Sequence, residues 1–213
     1  MIVLTRPKPA PTTVGLAWDG IRLWAGDWKE KALLELNDEQ AVAARHSAPG
    51  QPIGLMFGAG RLLAVLADPS TDDRSIHWFD PHAQAWAERT LRCPDDTGSH
   101  VFWAGQKLWL SQRYNKRVFE FRDDGSIGET ISVPWEVTGF FWIDADLWLS
   151  VRVEKGFTDV ARLRPGMQTP ELIERYQGSF ASLAYDGSGF WMSELRGETI
   201  VKVSPAALIS AAA

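Results

Sequence analysis

The chain has 213 residues, 45% of them hydrophobic and 23% charged, with a formal net charge of −5. That balance belongs to a folded globular chain and excludes extended disorder. Acidic and basic residues are mixed throughout with no basic tract, which argues against sequence-independent nucleic-acid binding, and the single cysteine, Cys93, excludes an internal disulfide framework or a cysteine-based zinc site.

The first segment, "MIVLTR", reads as a short strand with no unit of its own. Its apolar run is too short for the core of a secretory signal, and no later run reaches the length of a membrane helix. A cytoplasmic protein with no membrane partner is therefore expected. From Val14 the chain reads "VGLAWDGIRLWAGDW": an apolar strand, a turn at Asp19-Gly20, then a second strand. A third strand, "KALLELN", and a more polar fourth, "AVAARHS", complete the unit. Asp-Gly supplies the positive φ that a tight hairpin needs, and a polar outer strand suits an exposed sheet edge.

The same unit returns from Ile53 as "IGLMFGAGRLLAVLAD", from Ser99 as "SHVFWAGQKLWLSQRY", from Thr138 as "TGFFWIDADLWLSVRV" and from Ala181 as "ASLAYDGSGFWMSEL". The anchor of the second strand falls on Trp24, Leu63, Trp109, Trp148 and Trp191, at spacings of 39, 46, 39 and 43 residues. Several short strands repeating at such a period define a β-propeller. The fold expected is therefore all-β, a single five-bladed propeller of four-stranded blades. Blade 1 spans about 12–48, blade 2 about 52–93, blade 3 about 98–135, blade 4 about 137–178, and blade 5 about 180–205. The last unit lacks a fourth strand after "TIVKVSP", so residues 1–6 are expected to complete blade 5 and close the ring. Trp18, Trp24, Trp103, Trp109, Trp142, Trp148 and Trp191 recur within the repeat and are expected to wedge between blades. Trp28 and Trp135 lie outside it and are candidates for contact with a ligand.

The phrase "GLAWDG…LW" resembles the blade repeat of propellers that include the virginiamycin B lyases and the bacterial glutamine cyclotransferases. The resemblance covers nearly the whole chain. It implies the propeller fold and a ligand site at a mouth of the central channel. No active-site motif of those families is present, so no residue role follows from it.

Two sets of loops are expected at that mouth: those entering each first strand and those joining the second strand to the third. They place Arg113, Arg152 and Arg196 on blades 3, 4 and 5. Guanidinium groups suit a carboxylate or phosphate. Tyr114, Trp28 and Trp135 complete the expected substrate-binding set. Asp27 and Glu194 hold equivalent positions in blades adjacent across the closure, and a close carboxylate pair can divide acid and base roles. His100 replaces the small residue found in its slot elsewhere (Gly15, Gly54, Gly139, Ser182) and could carry a proton near neutral pH. Asp27, Glu194 and His100 are thus the candidate catalytic residues, expected to share one cavity with Arg113 and Arg152. "DPSTDD" at residues 68–73 reads first as a solvated turn.

No nucleotide-binding or nucleophile-elbow motif occurs, and no organic cofactor is expected. A channel calcium or magnesium ion would need oxygen ligands such as Asp27, Glu194 and main-chain carbonyls. Because the rim residues differ from blade to blade, the expectation is one asymmetric site for a polar, anionic small molecule, with lyase, cyclase or hydrolase chemistry. The alternative is a non-catalytic scaffold binding a protein partner or a sugar. An exposed patch of Trp28, Trp135, Phe157 and Phe180 would favour the protein partner.

Overall fold

The hairpin opening each unit is set by its turn. In the computed structural model, which describes residues 1–104, 106–122 and 124–209, Gly20 adopts φ 101°, a region open to glycine at little cost. Beside it, Asp19 Oδ1 accepts hydrogen bonds from the amides of Ile21 and Arg22 at 2.7 and 2.6 Å, and Oδ2 accepts the indole N–H of Trp24 at 2.9 Å. Blade 5 repeats the device. Asp186 Oδ1 accepts from the amides of Ser188 and Gly189, Oδ2 accepts from Trp191 Nε1 at 2.7 Å, and Gly187 has φ 90°. The aspartate of the turn and the tryptophan five residues on are one structural unit.

Twenty strands form five antiparallel four-stranded sheets arranged as a five-bladed propeller. After β1 (Ile2–Pro7), blade 1 contains β2–β5 (Thr13–Trp18, Leu23–Asp27, Ala32–Leu36, Val42–Ser47). Blade 2 contains β6–β9 (Gln51–Gly58, Arg61–Ala67, Arg74–Asp80, Ala85–Arg92). Blade 3 contains β10–β13 (His100–Ala104, Lys107–Gln112, Arg117–Phe121, Ile127–Ser132), and blade 4 β14–β17 (Glu136–Ile143, Asp146–Arg152, Phe157–Leu163, Glu171–Gln177). Blade 5 contains β18–β20 (Phe180–Tyr185, Phe190–Glu194, Thr199–Val203) and takes β1 as its fourth strand, in register Leu4↔Lys202, Arg6↔Ile200 and Pro7↔Thr199. Residues 1–6 therefore close the ring as the repeat requires.

Side chains cross the closure at two depths. Ser182 Oγ accepts from the amide of Leu16 at 3.0 Å and donates to its carbonyl at 3.1 Å, while Ser193 Oγ donates to the carbonyl of Thr13 at 2.8 Å. These bonds join blade 5 to blade 1 at the inner strands.

The anchor tryptophans fill the wedges. Trp24 meets Phe79 of blade 2 at 6.3 Å between ring centroids, Trp109 meets Trp142 of blade 4 at 5.2 Å, and Trp148 meets Phe190 of blade 5 at 5.5 Å. Trp191 shares an apolar cluster with Leu16, Leu23 and Ala25 of blade 1. All four tryptophans are at most 4% exposed. Trp18, Trp103 and Trp142 pack against the same clusters but stay partly open. They end the first strands of their blades, where blade 2 has Phe57 and blade 5 has Tyr185, both also half-buried.

Two outcomes follow. Deleting residues 1–6 removes a whole ladder and bares the β20 edge, so the melting temperature should fall by many degrees; an unchanged melting curve contradicts closure by β1. Trp109→Ala empties an inter-blade aromatic site and should cost about 3–5 kcal/mol in a denaturant titration, whereas Trp28→Ala, at a position 38% exposed, should stay within about 0.5 kcal/mol.

Candidate functional site

At the end of the propeller where the first strands begin, one equivalent residue from each blade rings a cavity: Val14, Ile53, Ser99, Thr138 and Ala181. Arg74, Arg113, Tyr114 and Leu195 complete a lining around about 110 Å³. The loops expected at the channel mouth do converge there. Below the mouth the axis is filled. Leu16, Leu55, Met56, Phe141, Leu183 and His100 line a space of only about 30 Å³ that shares no residue with the mouth cavity.

The mouth is strongly cationic. Arg113 Nε donates to Glu136 Oε2 at 2.9 Å, and Arg152 Nη1 lies 3.6 Å from the same oxygen. Burial lowers the pKa of Arg152, and the like charges of Arg113 and Arg196 lower it further, partly offset by Glu136. Those three arginines are thus neighbours, as their loops suggest. Arg74 adds a fourth guanidinium, fixed by a 2.6 Å hydrogen bond from Nη1 to the Gly98 carbonyl and by contact with Asp72. Tyr114 is 73% exposed, with the Arg113 guanidinium 5.1 Å from its ring centroid. Arg74 and Glu136 are the mouth residues absent from the expected site. Arg74 stands next to "DPSTDD", where Asp68 accepts from Ser70 and Thr71 amides as a turn residue, and that turn masked it. Glu136 stands in an entering loop but repeats in no other blade.

The expected catalytic trio is not brought together. Asp27 is 2% exposed and engaged within blade 1, accepting from Thr12 Oγ1 at 2.5 Å and the Glu30 amide at 3.3 Å, with Arg45 Nη1 at 3.6 Å. Arg45 lies on the outermost strand of that blade, so the carboxylate is held in its own blade. Glu194 accepts from Thr199 Oγ1 at 2.8 Å, folds over Gly197, and faces Lys8, whose pKa burial lowers while Glu194 counters the shift. In blade 3 the equivalent Gln112 plays the same part, donating to the carbonyls of Pro94 and Thr97 and accepting from Asn115 and Arg117. The position is a loop clamp. Its polarity reflects buried loop amides and cations that need a partner.

His100 is 2% exposed, edge-on to Phe140 at 5.5 Å, and belongs to the axial void. Trp135 packs against the core of blades 2 to 4, Phe180 is 4% exposed, and Phe157 lies beneath Arg175. These three aromatics and Trp28 therefore form no common exposed patch. Among the described residues no group of three or more His, Cys, Asp or Glu side chains is placed to hold a metal ion.

No family model and no curated protein matches the sequence. Solved structures do. Glutaminyl cyclase from Myxococcus xanthus superposes with a TM-score of 0.73 at 15% identity, over 95% of this chain and 94% of that one. The PQQ-bound aldose sugar dehydrogenase from Streptomyces coelicolor gives 0.60 at 14% identity, over 96% and 80%. Virginiamycin B lyase from Staphylococcus aureus gives 0.53 at 13% identity, over 93% and 68%. The resemblance seen in the blade repeat thus extends to the three-dimensional fold; at such identities it is a likeness of fold.

Burial makes His100 a source of acid sensitivity. Its pKa is lowered to about 4 from an ordinary 6.5. Above pH 6.5 both folded and unfolded forms keep it neutral; as pH falls from 6.5 towards 4 only the unfolded chain takes up the proton, so stability declines across that window. His100→Gln should flatten the dependence of unfolding free energy on pH there, whatever its stability at neutral pH. An unaltered slope would show that His100 is not held neutral. His46 and His77, also lowered by burial, contribute to the remaining slope, as do the aspartates with lowered pKa near the acid end of the window.

Proposed function

We propose that the protein is a small-molecule enzyme that takes a carboxylate-bearing substrate at the cationic mouth and acts on it by proton transfer, as a lyase, cyclase or hydrolase. The observation that supports this most is the imbalance of charge: Arg74 and Arg113 line the cavity, Arg113 and Arg152 share Glu136, Arg196 lies near Arg152, and Asp72 is at the margin on Arg74. Guanidiniums held at one small cavity are an anion site, because their planar donors match a carboxylate in pairs. A cavity of about 110 Å³ accommodates a carboxylate head group, with the rest of the ligand passing outward over Tyr114. Glu136 then becomes the proton carrier in place of Asp27, Glu194 and His100. It is the internal anion that the substrate displaces from the arginines, and once displaced it is a free base beside the bound ligand.

A second reading, capture without turnover, draws on the lack of a paired acid and base at the mouth among the described residues. The two separate in one pair of variants. Arg113→Gln should weaken binding of succinate, followed by titration calorimetry, about tenfold or more, the usual effect of losing a charge-assisted bond. Glu136→Gln should tighten succinate binding, because it removes the competing carboxylate. If the protein is an enzyme, the same change abolishes turnover of its substrate while leaving the melting temperature nearly unchanged. Succinate affinity unaffected by Arg113→Gln would refute the anion site and both readings with it.

A further inference from the structure

The opposite end of the propeller carries a second, chemically different cavity. It lies between blades 5 and 1, encloses about 250 Å³, and is lined by Trp18, Gln40, Arg22, Asp186, Trp191 and Lys202 among others. Its cations are paired, Arg22 with Glu35 and Lys202 with Asp186 at 2.6 Å, and Asp38 adds a further carboxylate to the lining. Two of its uncharged polar groups have no partner. Gln40 Oε1 is buried without a hydrogen-bond partner, and Trp18 Nε1 has no partner among the described residues, whereas Trp24 and Trp191 each donate to a turn aspartate. A buried acceptor left unpaired is costly and calls for a donor that the protein does not supply. An open acceptor and an open donor in one cavity match a hydroxyl group, which offers both functions.

The backbone at Gln40 points the same way. Gln40 closes the β4–β5 hairpin at φ 65°, a conformation that glycine adopts without strain and that longer side chains resist. The corresponding hairpins of blades 3 and 4 carry Gly125 and Gly166 at φ 84° and 80°. Strain kept at a residue whose side chain also leaves an acceptor unpaired suits a functional position. The equivalent groove between blades 3 and 4 is larger, about 450 Å³, and has Trp142 in the place of Trp18. Its hairpin presents Pro165, Gly166 and Met167 with an exposed Gln168 beyond them, so among the described residues it has no buried, unpaired amide acceptor.

We infer that the groove between blades 5 and 1 binds a neutral polyhydroxylated ligand of single-ring size, a monosaccharide or the terminal residue of a glycan, stacked on Trp18 and hydrogen-bonded to Gln40 Oε1. The paired cations and the Asp38 carboxylate disfavour an anion, the unpaired donor and acceptor match hydroxyl groups, and size follows from the volume. An indole beside polar groups suits a ring with an apolar C–H face and hydroxyl edges. The site is independent of the arginine mouth.

The test uses the whole protein with glucose, galactose, mannose and N-acetylglucosamine as free sugars, followed by saturation-transfer NMR and tryptophan fluorescence, and an array of immobilised oligosaccharides ending in the same sugars. Saturable binding of at least one of them is expected. Gln40→Gly should weaken that binding about tenfold or more while raising the melting temperature, since it removes both the strain and the unpaired acceptor. Gln84→Gly is the control: Gln84 also has a positive φ, of 52°, but lies in blade 2 away from the groove, so this change should raise stability and leave binding intact. Trp18→Phe, which keeps an aromatic ring and removes the indole N–H, should weaken binding as well. Binding to the array alone identifies the glycan terminus as the ligand. Failure of every sugar in both formats, or full affinity in Gln40→Gly, overturns the inference.

Discussion

Everything else in this propeller depends on how closely five inner strands approach a common axis. A side chain at Gly54 would collide with the carbonyl of Ser99 and the Cα of His100, and one at Gly139 would stand 2.5 Å from the carbonyl carbon of Ser182. With the inner strands so close, their remaining side chains fill the axis with Leu16, Leu55, Leu183 and Phe141. Among the described residues little open space is left along the axis. The molecule has two separate ends, and polar chemistry is confined to loops at one end and to the hairpin turns at the other.

His100 marks the exception to that approach. Its slot is small in every other blade, and here an imidazole takes the space against Phe140. A break in a repeat is commonly a sign of function, but burial changes what this group can do. A histidine kept neutral down to about pH 4 is poorly suited to moving protons near neutrality. The packing demand at the junction of blades 3 and 4 explains it better than chemistry does.

The repeat made the fold legible. Trp24, Trp109, Trp148 and Trp191 recur because each wedge needs a large flat side chain, and the missing fourth strand of blade 5 matched the orphan strand at residues 1–6. The mouth loops were legible too, since strand order decides which loops share an end; Arg113, Arg152 and Arg196 follow from that alone. What sequence position could not convey was side-chain direction at strand ends. Asp27 and Glu194 sit at equivalent positions, yet each turns to a partner within its own blade, Arg45 in one case and Thr199 in the other. A carboxylate that clamps a loop and one that serves a site look alike until the partner is seen. Arg74, and the role of Glu136 within its entering loop, escaped notice for the converse reason: neither repeats, and neither breaks a pattern.

The central claim is that the cationic mouth is an anion site. Crystals of the protein soaked in sodium bromide and measured at the bromine absorption edge test this directly. A strong anomalous peak is expected among Arg74, Arg113, Arg152 and Arg196, displaced when succinate is added to the soak. Bromide bound only elsewhere on the surface, or a mouth peak indifferent to succinate, would contradict it.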